Sequence, residues 1–441
     1  MAAGLGLYLP GLWWMRDFSA PGYVVATLME AGFLAAGVAL VPPAGRWRRA
    51  LAFPAALVMV EAVRGAWPFG GLPISGIDLG QVGGPLAPAA RIGGRLLLVA
   101  LVGIGGVALA SLGRRRWRMA LAGAAAVAVV AGLGVVAPDG SPTGRRLAVA
   151  AVQGGGPRGT RAISSDPALV FERHLAATAG VRLPVDLVLW PEDVVDVEDE
   201  IATTPEGRRL AALASSLHAT LVAGVVQDEP GRRFRNSAVP WGPDGTLLPR
   251  YDKVHRVPFG EYIPARSFFA RLADVSAVPR DALVGRGPAV LDTPAGKLGV
   301  VISYEVFYPD RARAAVRAGG QVVLVPTNAS SYRDAQIPSQ EVAVARLRAL
   351  ETGRWVVQAA PTGYSAVIDQ RGRARVQSGL GGPAVLQASV DLRTGHTLFV
   401  ALGPAPWVAG ALFALAASWL RPRTVRSIGG DIAPPIDQTS S

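Results

Sequence analysis

The 441-residue sequence contains no cysteine, so disulfides, thiolate metal sites and a thiol nucleophile are all excluded. Its four histidines are scattered, without the paired spacing of a zinc site. No Rossmann or P-loop glycine pattern occurs. The expected cofactor and metal content is therefore none. Charge is also sparse, at 17% of residues. The net charge of +12 comes from 44 Lys+Arg against 32 Asp+Glu, with the arginines clustered beside apolar runs. No basic stripe with interleaved aromatics is present, which argues against nucleic acid as a partner. What the chain has in quantity is apolar sequence. Half of it is hydrophobic and the mean hydropathy is +0.33, values that suggest a membrane part joined to a globular part.

The apolar runs lie mostly at the start. Tyr23 to Val41, Leu96 to Leu112 and Met119 to Val136 have the length of a helix crossing a hydrocarbon core of about 30 Å. Ala50 to Val63 is shorter and reads either as a further span or as a buried helix. Residues 1–140 are thus expected to form a transmembrane domain of about four spans. Met1 to Trp14 lacks the basic start and cleavage site of a signal peptide and reads as a partial membrane segment. Leu398 to Leu420 predicts a C-terminal transmembrane helix over 397–420, and the polar stretch 427–441 a disordered cytoplasmic tail. Three arginine clusters flank these runs: Arg46, Arg48 and Arg49; Arg114, Arg115, Arg116 and Arg118; Arg421, Arg423 and Arg426. If short Arg-rich loops face the cytoplasm, all three agree on one orientation, which puts the middle of the chain outside it.

That middle, 145–396, alternates short apolar runs with capped helical segments. Strands are predicted at Leu147 to Val152, Asp186 to Trp190, Leu221 to Val226, Val300 to Ser303, Val322 to Val325, Trp355 to Ala359, Ala366 to Asp369 and Val385 to Val390. One helix is predicted from Pro167 behind an Asp166 N-cap, another over Gln340 to Thr352 between Ser339 and Gly353. The alternation argues for an α/β layered fold.

Three separated stretches carry the chemistry. Val300-Val301-Ile302 delivers Ser303, Tyr304 and Glu305 to a strand-to-helix turn before Pro309-Asp310, the kind of turn that presents nucleophiles. Trp190-Pro191-Glu192 ends a second apolar run in a carboxylate. Lys253 and Glu261 lie in a proline-fixed apolar loop. Taken singly, each also reads as a solvated strand end or a surface charge.

Taken in order they resemble the nitrilase superfamily, and within it the apolipoprotein N-acyltransferases of bacterial membranes. The resemblance rests on Trp190-Pro191-Glu192, on Tyr251-Asp252-Lys253 with Val257-Pro258-Phe259-Gly260-Glu261-Tyr262, on Ile302-Ser303-Tyr304-Glu305 and on Pro326-Thr327-Asn328. Ala345 through Arg354, Val60 through Gly70 and the final apolar span extend it over most of the chain. It implies an αββα sandwich on the extracytoplasmic face of a multi-pass protein of the cell membrane. The implied activity transfers an acyl chain from membrane phospholipid to the N-terminal amine of diacylglyceryl-cysteine apolipoproteins, through an acyl-enzyme. Glu192 would be the general base, Lys253 the oxyanion stabiliser and Ser303 the nucleophile position, with Glu261, Glu305 and Tyr304 in support.

The family's nucleophile is a cysteine, and Ser303 stands in its place. An alcohol is a far weaker acid than a thiol and needs a stronger base relay, which no histidine in these motifs supplies. A serine enzyme, an engineered substitution, or a catalytically impaired homologue acting as a lipoprotein-binding or accessory membrane protein remain open. The family's tryptophan after Gln153-Gly154 is also missing through Ala168. Phe268 and Phe269, between Arg266 and Arg271, suit either a lipid interface or a core, and Asn328 to Pro338 suits the acceptor's approach.

Overall fold

Ser19 accepts a hydrogen bond from the Gly22 N–H at 3.0 Å, and Pro21 in the first turn has no N–H to satisfy, so a helix starts at Ala20 and runs to Ala39. The computed structural model describes residues 1–159, 165–271 and 274–420. The expected tail, the third arginine cluster and Leu272 lie outside the described residues. Helices Ala2–Gly11, Arg46–Arg64, Ala90–Gly113 and Trp117–Val136 complete the N-terminal part. Among the described residues three segments are long and apolar enough to cross a membrane, namely Ala20–Ala39, Ala87–Gly113 and Trp117–Val136. Their outer faces expose Val25, Leu109, Leu121 and Val136, as lipid contact requires.

The Arg46–Arg64 helix, in the shorter predicted run, packs Ala52, Ala56 and Leu57 against Leu96, Val99, Ala411 and Leu415. Its far end carries buried charge. Arg64 pairs with Glu30 and Glu61, and Arg95 with Glu61 at 2.7 Å and Asp78 at 3.1 Å. The final apolar segment, expected as one helix, is two: Leu398–Leu402 and Ala405–Trp419. Gly403 at φ 72° and Pro404, which has no N–H to continue a helix, divide them.

The globular part has fourteen strands among the described residues: β1 (Ser141–Gln153), β2 (Leu187–Leu189), β3 (Val195–Val197), β4 (Thr220–Glu229), β5 (Arg233–Trp241), β6 (Tyr251–Asp252), β7 (Asp281–Ala282), β8 (Val290–Thr293), β9 (Gly296–Val300), β10 (Val322–Pro326), β11 (Val356–Ala359), β12 (Ala366–Ile368), β13 (Ala374–Gln377) and β14 (Ala384–Thr394). One sheet runs β14-β1-β2-β4-β5-β6, with β3 on β4 and β7 on β5; the other runs β13-β12-β11-β10-β9-β8. The central pairs β1/β2, β2/β4, β9/β10 and β10/β11 are parallel, which is why these strands are apolar on both faces.

The two-residue period sorts their side chains into layers. Leu147, Val149, Val322 and Leu324 meet between the sheets. Ala150 and Val152 face outward onto Phe171 and Leu210, from helices Pro167–Thr178 and Pro205–Leu217. Val323 and Val325 face outward onto Ala312, Val344 and Ala345, from helices Pro309–Arg317 and Gln336–Thr352. The result is the expected αββα sandwich. Helix Gln336–Thr352 also docks on the membrane part: the Arg95 N–H donates to Glu351 Oε1 and the Ser75 N–H to Gln340 Oε1, each at 2.8 Å.

Candidate active site

β2 ends at Leu189, and the buried Trp190 pins the exit by donating from Nε1 to Thr178 Oγ1 at 3.0 Å. The chain then turns through Pro191 into Glu192, lying so close to β4 that a Cβ on Gly224 would sit 2.3 Å from the Pro191 oxygen. Only glycine fits there, and the Gly224 N–H donates to that oxygen at 3.0 Å.

Glu192, Lys253 and Glu261 converge. Lys253 Nζ donates to Glu192 Oε1 at 2.7 Å and to Glu261 Oε1 at 2.8 Å. Asn236, on β5, donates from Nδ2 to the same two oxygens, at 2.9 and 3.1 Å. Lys253 and Glu192 are 2% and 3% exposed. Burial alone would lower the lysine pKa, but two carboxylates outweigh it and hold the ammonium above its ordinary value. Burial raises the Glu192 carboxyl, against the pull of Lys253. Glu261 is itself held by the Val257 N–H on Oε2 at 2.7 Å.

Ser303 stands three residues past the end of β9, as the first residue of a 3₁₀ turn over Ser303–Phe307. Its φ of 48° is in the left-handed region, which costs a non-glycine residue about 1–2 kcal/mol. Three backbone hydrogen bonds to one carboxylate hold it there. Glu305 Oε2 accepts from the Ile302 N–H at 2.8 Å, while its Oε1 accepts from the N–H groups of Val254 and His255 at 2.7 and 3.1 Å. One fully buried carboxylate thus ties the residue before the serine to the residue after the lysine. Glu305, read from sequence as support for Lys253, orders its loop and makes no hydrogen bond to the ammonium. Tyr251 donates to the same carboxylate at 2.9 Å.

Tyr304 points the other way, donating to the Gly71 oxygen of the membrane part at 3.0 Å, beside Tyr308, which does the same. Thr327 Oγ1 lies 3.2 Å from Ser303 Oγ and 2.8 Å from Glu341 Oε1. A cavity of about 320 Å³ opens on Glu261 and Asn328, lined also by Gly155, Gly156, Asp193 and Arg280. Phe269 packs edge-on against Phe259 and Phe69 with Phe268 exposed, so the aromatic loop reaches the membrane part. Among the described residues no group of His, Asp and Glu could hold a metal ion.

Asn236 and Glu341 were not legible as site residues. Asn236 had a faint signal: a lone amide in Arg233–Trp241, whose pairing with β4 through Pro230-Gly231-Arg232 marks a hairpin. Glu341 had none beyond its place on a helix.

The carbon-nitrogen hydrolase profile matches residues 148–397, and the apolipoprotein N-acyltransferase N-terminal domain profile matches residues 1–108. The chain is 31% identical over 409 residues to the apolipoprotein N-acyltransferase of Pseudomonas putida, spanning 85% of this chain and 78% of that one. It is 31% identical over 461 residues to that of Azotobacter vinelandii, spanning 97% and 87%. Among solved structures, a Saccharomyces cerevisiae member of the nitrilase superfamily aligns with a TM-score of 0.44 at 22% identity, over 58% of this chain and 92% of that one.

Proposed function

Because this chain belongs to the apolipoprotein N-acyltransferase family, and is an integral membrane acyltransferase of lipoprotein N-acylation, we propose that Ser303 carries the acyl group between membrane phospholipid and lipoprotein amine. The observation that carries this reading is the buried ammonium held between Glu192 and Glu261, with Ser303 on a left-handed turn tied to the same loop by Glu305.

In the first step Ser303 Oγ bonds to the donor's ester carbonyl carbon as Glu192 takes its proton. The Lys253 ammonium and the Tyr304 N–H receive the oxyanion, in a water-poor pocket where such a cation contributes several kcal/mol. Collapse breaks the ester bond, and Glu192 returns the proton to the leaving glycerol oxygen. In the second step the lipoprotein's terminal amine attacks the seryl ester, loses a proton to Glu192, and Ser303 regains its hydrogen. Glu261 keeps Lys253 charged and aimed; Glu305 and Tyr304 position the turn between the catalytic and membrane parts. Residues 1–140 and 397–420 are assigned to the bilayer, and 145–396 to the extracytoplasmic face. Two features support that orientation. The helix after Arg114–Arg118 runs to Val136 and then into β1, and the helix starting at Arg46 runs toward Gly71, the contact of Tyr304. Both clusters therefore lie at the end remote from the catalytic domain.

Intact-mass spectrometry after incubation with diacyl phospholipid in detergent tests the reading. The parent protein gains one acyl mass, and Ser303→Ala gains none. An unmodified parent alongside an acylated Ser303→Cys variant would overturn the serine acyl-enzyme and leave a lipoprotein-binding role in its place.

A further inference from the structure

A serine hydroxyl asks more of its surroundings than a thiol does, and the structure holds a group beside Ser303 that the mechanism above does not use. Glu341, on helix Gln336–Thr352, is 3% exposed. Its Oε1 lies 2.8 Å from Thr327 Oγ1, and Thr327 Oγ1 lies 3.2 Å from Ser303 Oγ. A threonine hydroxyl has one hydrogen and two acceptor positions, so it donates to only one of these neighbours at a time. The chain therefore has two polarities. With Glu341 ionised, Thr327 donates to the carboxylate and Ser303 donates to Thr327, which turns the serine hydrogen away from Glu192. With Glu341 neutral, its O–H donates to Thr327 and Thr327 donates to Ser303 Oγ, which frees the serine hydrogen for the base and stabilises negative charge growing on Oγ.

Resting on Ser303 as the acyl carrier, we propose that the neutral carboxyl of Glu341 is a positioning residue that acts through Thr327 to polarise Ser303 for proton transfer to Glu192. No atom of Glu341 or Thr327 leaves or is gained in the cycle. The Ser303 proton goes to Glu192 as already described, and the donor chain only sets the direction and acidity of the hydroxyl.

The surroundings favour the neutral form. Glu341 Oε2 is buried with no hydrogen-bond partner among the described residues, an arrangement tolerable for the carbonyl oxygen of an acid and costly for half of a carboxylate. Burial pushes this carboxyl up to about 8; Glu192 raises it further, while Thr327 and Lys253 oppose the shift. The groups that bear on it are Thr327 just past β10, Glu192 and Lys253 from the first sheet's side and Tyr332 from the loop ahead of its own helix. The sign follows directly. The active polarity is full below the raised value and is lost as pH rises through it, so acylation of Ser303 falls about tenfold per pH unit well above about 8.

The test is the rate of acyl-adduct formation by the purified full-length protein with diacyl phospholipid in detergent micelles, followed by intact mass from pH 6 to 10. Glu341→Ala is expected to slow the parent by at least about tenfold, and Thr327→Val likewise, an effect the size of one hydrogen bond to developing charge. Glu341→Gln, whose amide N–H can donate to Thr327 as the acid does, rescues most of that loss and removes the alkaline decline. In Ser303→Cys, where the thiol ionises without help, Glu341→Ala costs less than about threefold, and the thioester it forms shows that the variant folds. Equal losses in the serine and cysteine backgrounds, or an alkaline decline that persists in Glu341→Gln, would overturn the relay while leaving Ser303 as acyl carrier. Absence of any adduct on the parent would overturn both.

Discussion

At the scale of single residues, the choice of lysine at 253 is informative. The sequence uses arginine almost everywhere, with Lys253 and Lys297 its two lysines among 44 basic residues. A compact ammonium fits between Glu192 and Glu261 at 2.7 and 2.8 Å, where a planar five-donor fork would not. Lys253→Arg is therefore expected to keep the charge yet reduce kcat for acyl transfer by more than about 100-fold, comparable to loss of an oxyanion donor. Lys253→Met leaves two carboxylates and no cation in a buried site, which costs about 3–5 kcal/mol of stability. A thermal melt of that variant indistinguishable from the parent would show that the cluster is solvated rather than buried.

At the scale of elements, the turns around the site depend on glycine and on strand register. Gly224→Ala forces β4 and the Glu192 turn apart and is expected to destabilise the protein by about 1–3 kcal/mol, with a fall in kcat larger than any change in KM. Thermal melts and steady-state rates check both halves. Much at this scale was legible in the sequence. The parallel strands announced themselves as β-branched runs, Asp166 caps its helix by accepting from the Ala168 N–H at 2.9 Å, and Gly353 takes the left-handed φ of 65° foreseen for it. The helix foreseen from Gln340 begins a turn earlier, at Gln336, because Pro338 sits within its first turn, where a missing N–H is harmless. The strand ending foreseen at Ser303 stops at Val300, since Glu305 draws the Ile302 N–H out of the ladder. β5 was missed because Arg233–Trp241 alternates weakly, and its register rests on the hairpin with β4. Glu192 and Ser303 were legible because each ends an apolar run, where a polar residue needs a reason, and Lys253 and Glu261 because they stand in an apolar, proline-fixed loop between them in sequence. Asn236 and Glu341 sit inside a strand and a helix. Only the packing of those elements aims them at the site.

At the scale of the whole molecule, the proposed orientation puts two arginine clusters and the catalytic domain at opposite ends of the membrane helices. With no natural cysteine, single cysteines report sidedness without background. Ala212→Cys, exposed on helix Pro205–Leu217, is expected to react with a membrane-impermeant maleimide in intact spheroplasts, and Arg115→Cys only after lysis. The reverse pattern would invert the topology. The helix Ala405–Trp419 has a further consequence, for how the protein is made. It completes the bundle by packing on Arg46–Arg64, and Trp419 Nε1 donates to the Leu40 oxygen at 2.9 Å across 379 positions of sequence. At roughly 5–20 residues per second, the ribosome needs about 20–70 s to travel from one helix to the other. For that interval the part of the Ala52, Ala56 and Leu57 face that meets Ala411 and Leu415 has no partner, while residues 145–396 are made. Biogenesis is thus ordered by the chain itself, and the membrane bundle closes last.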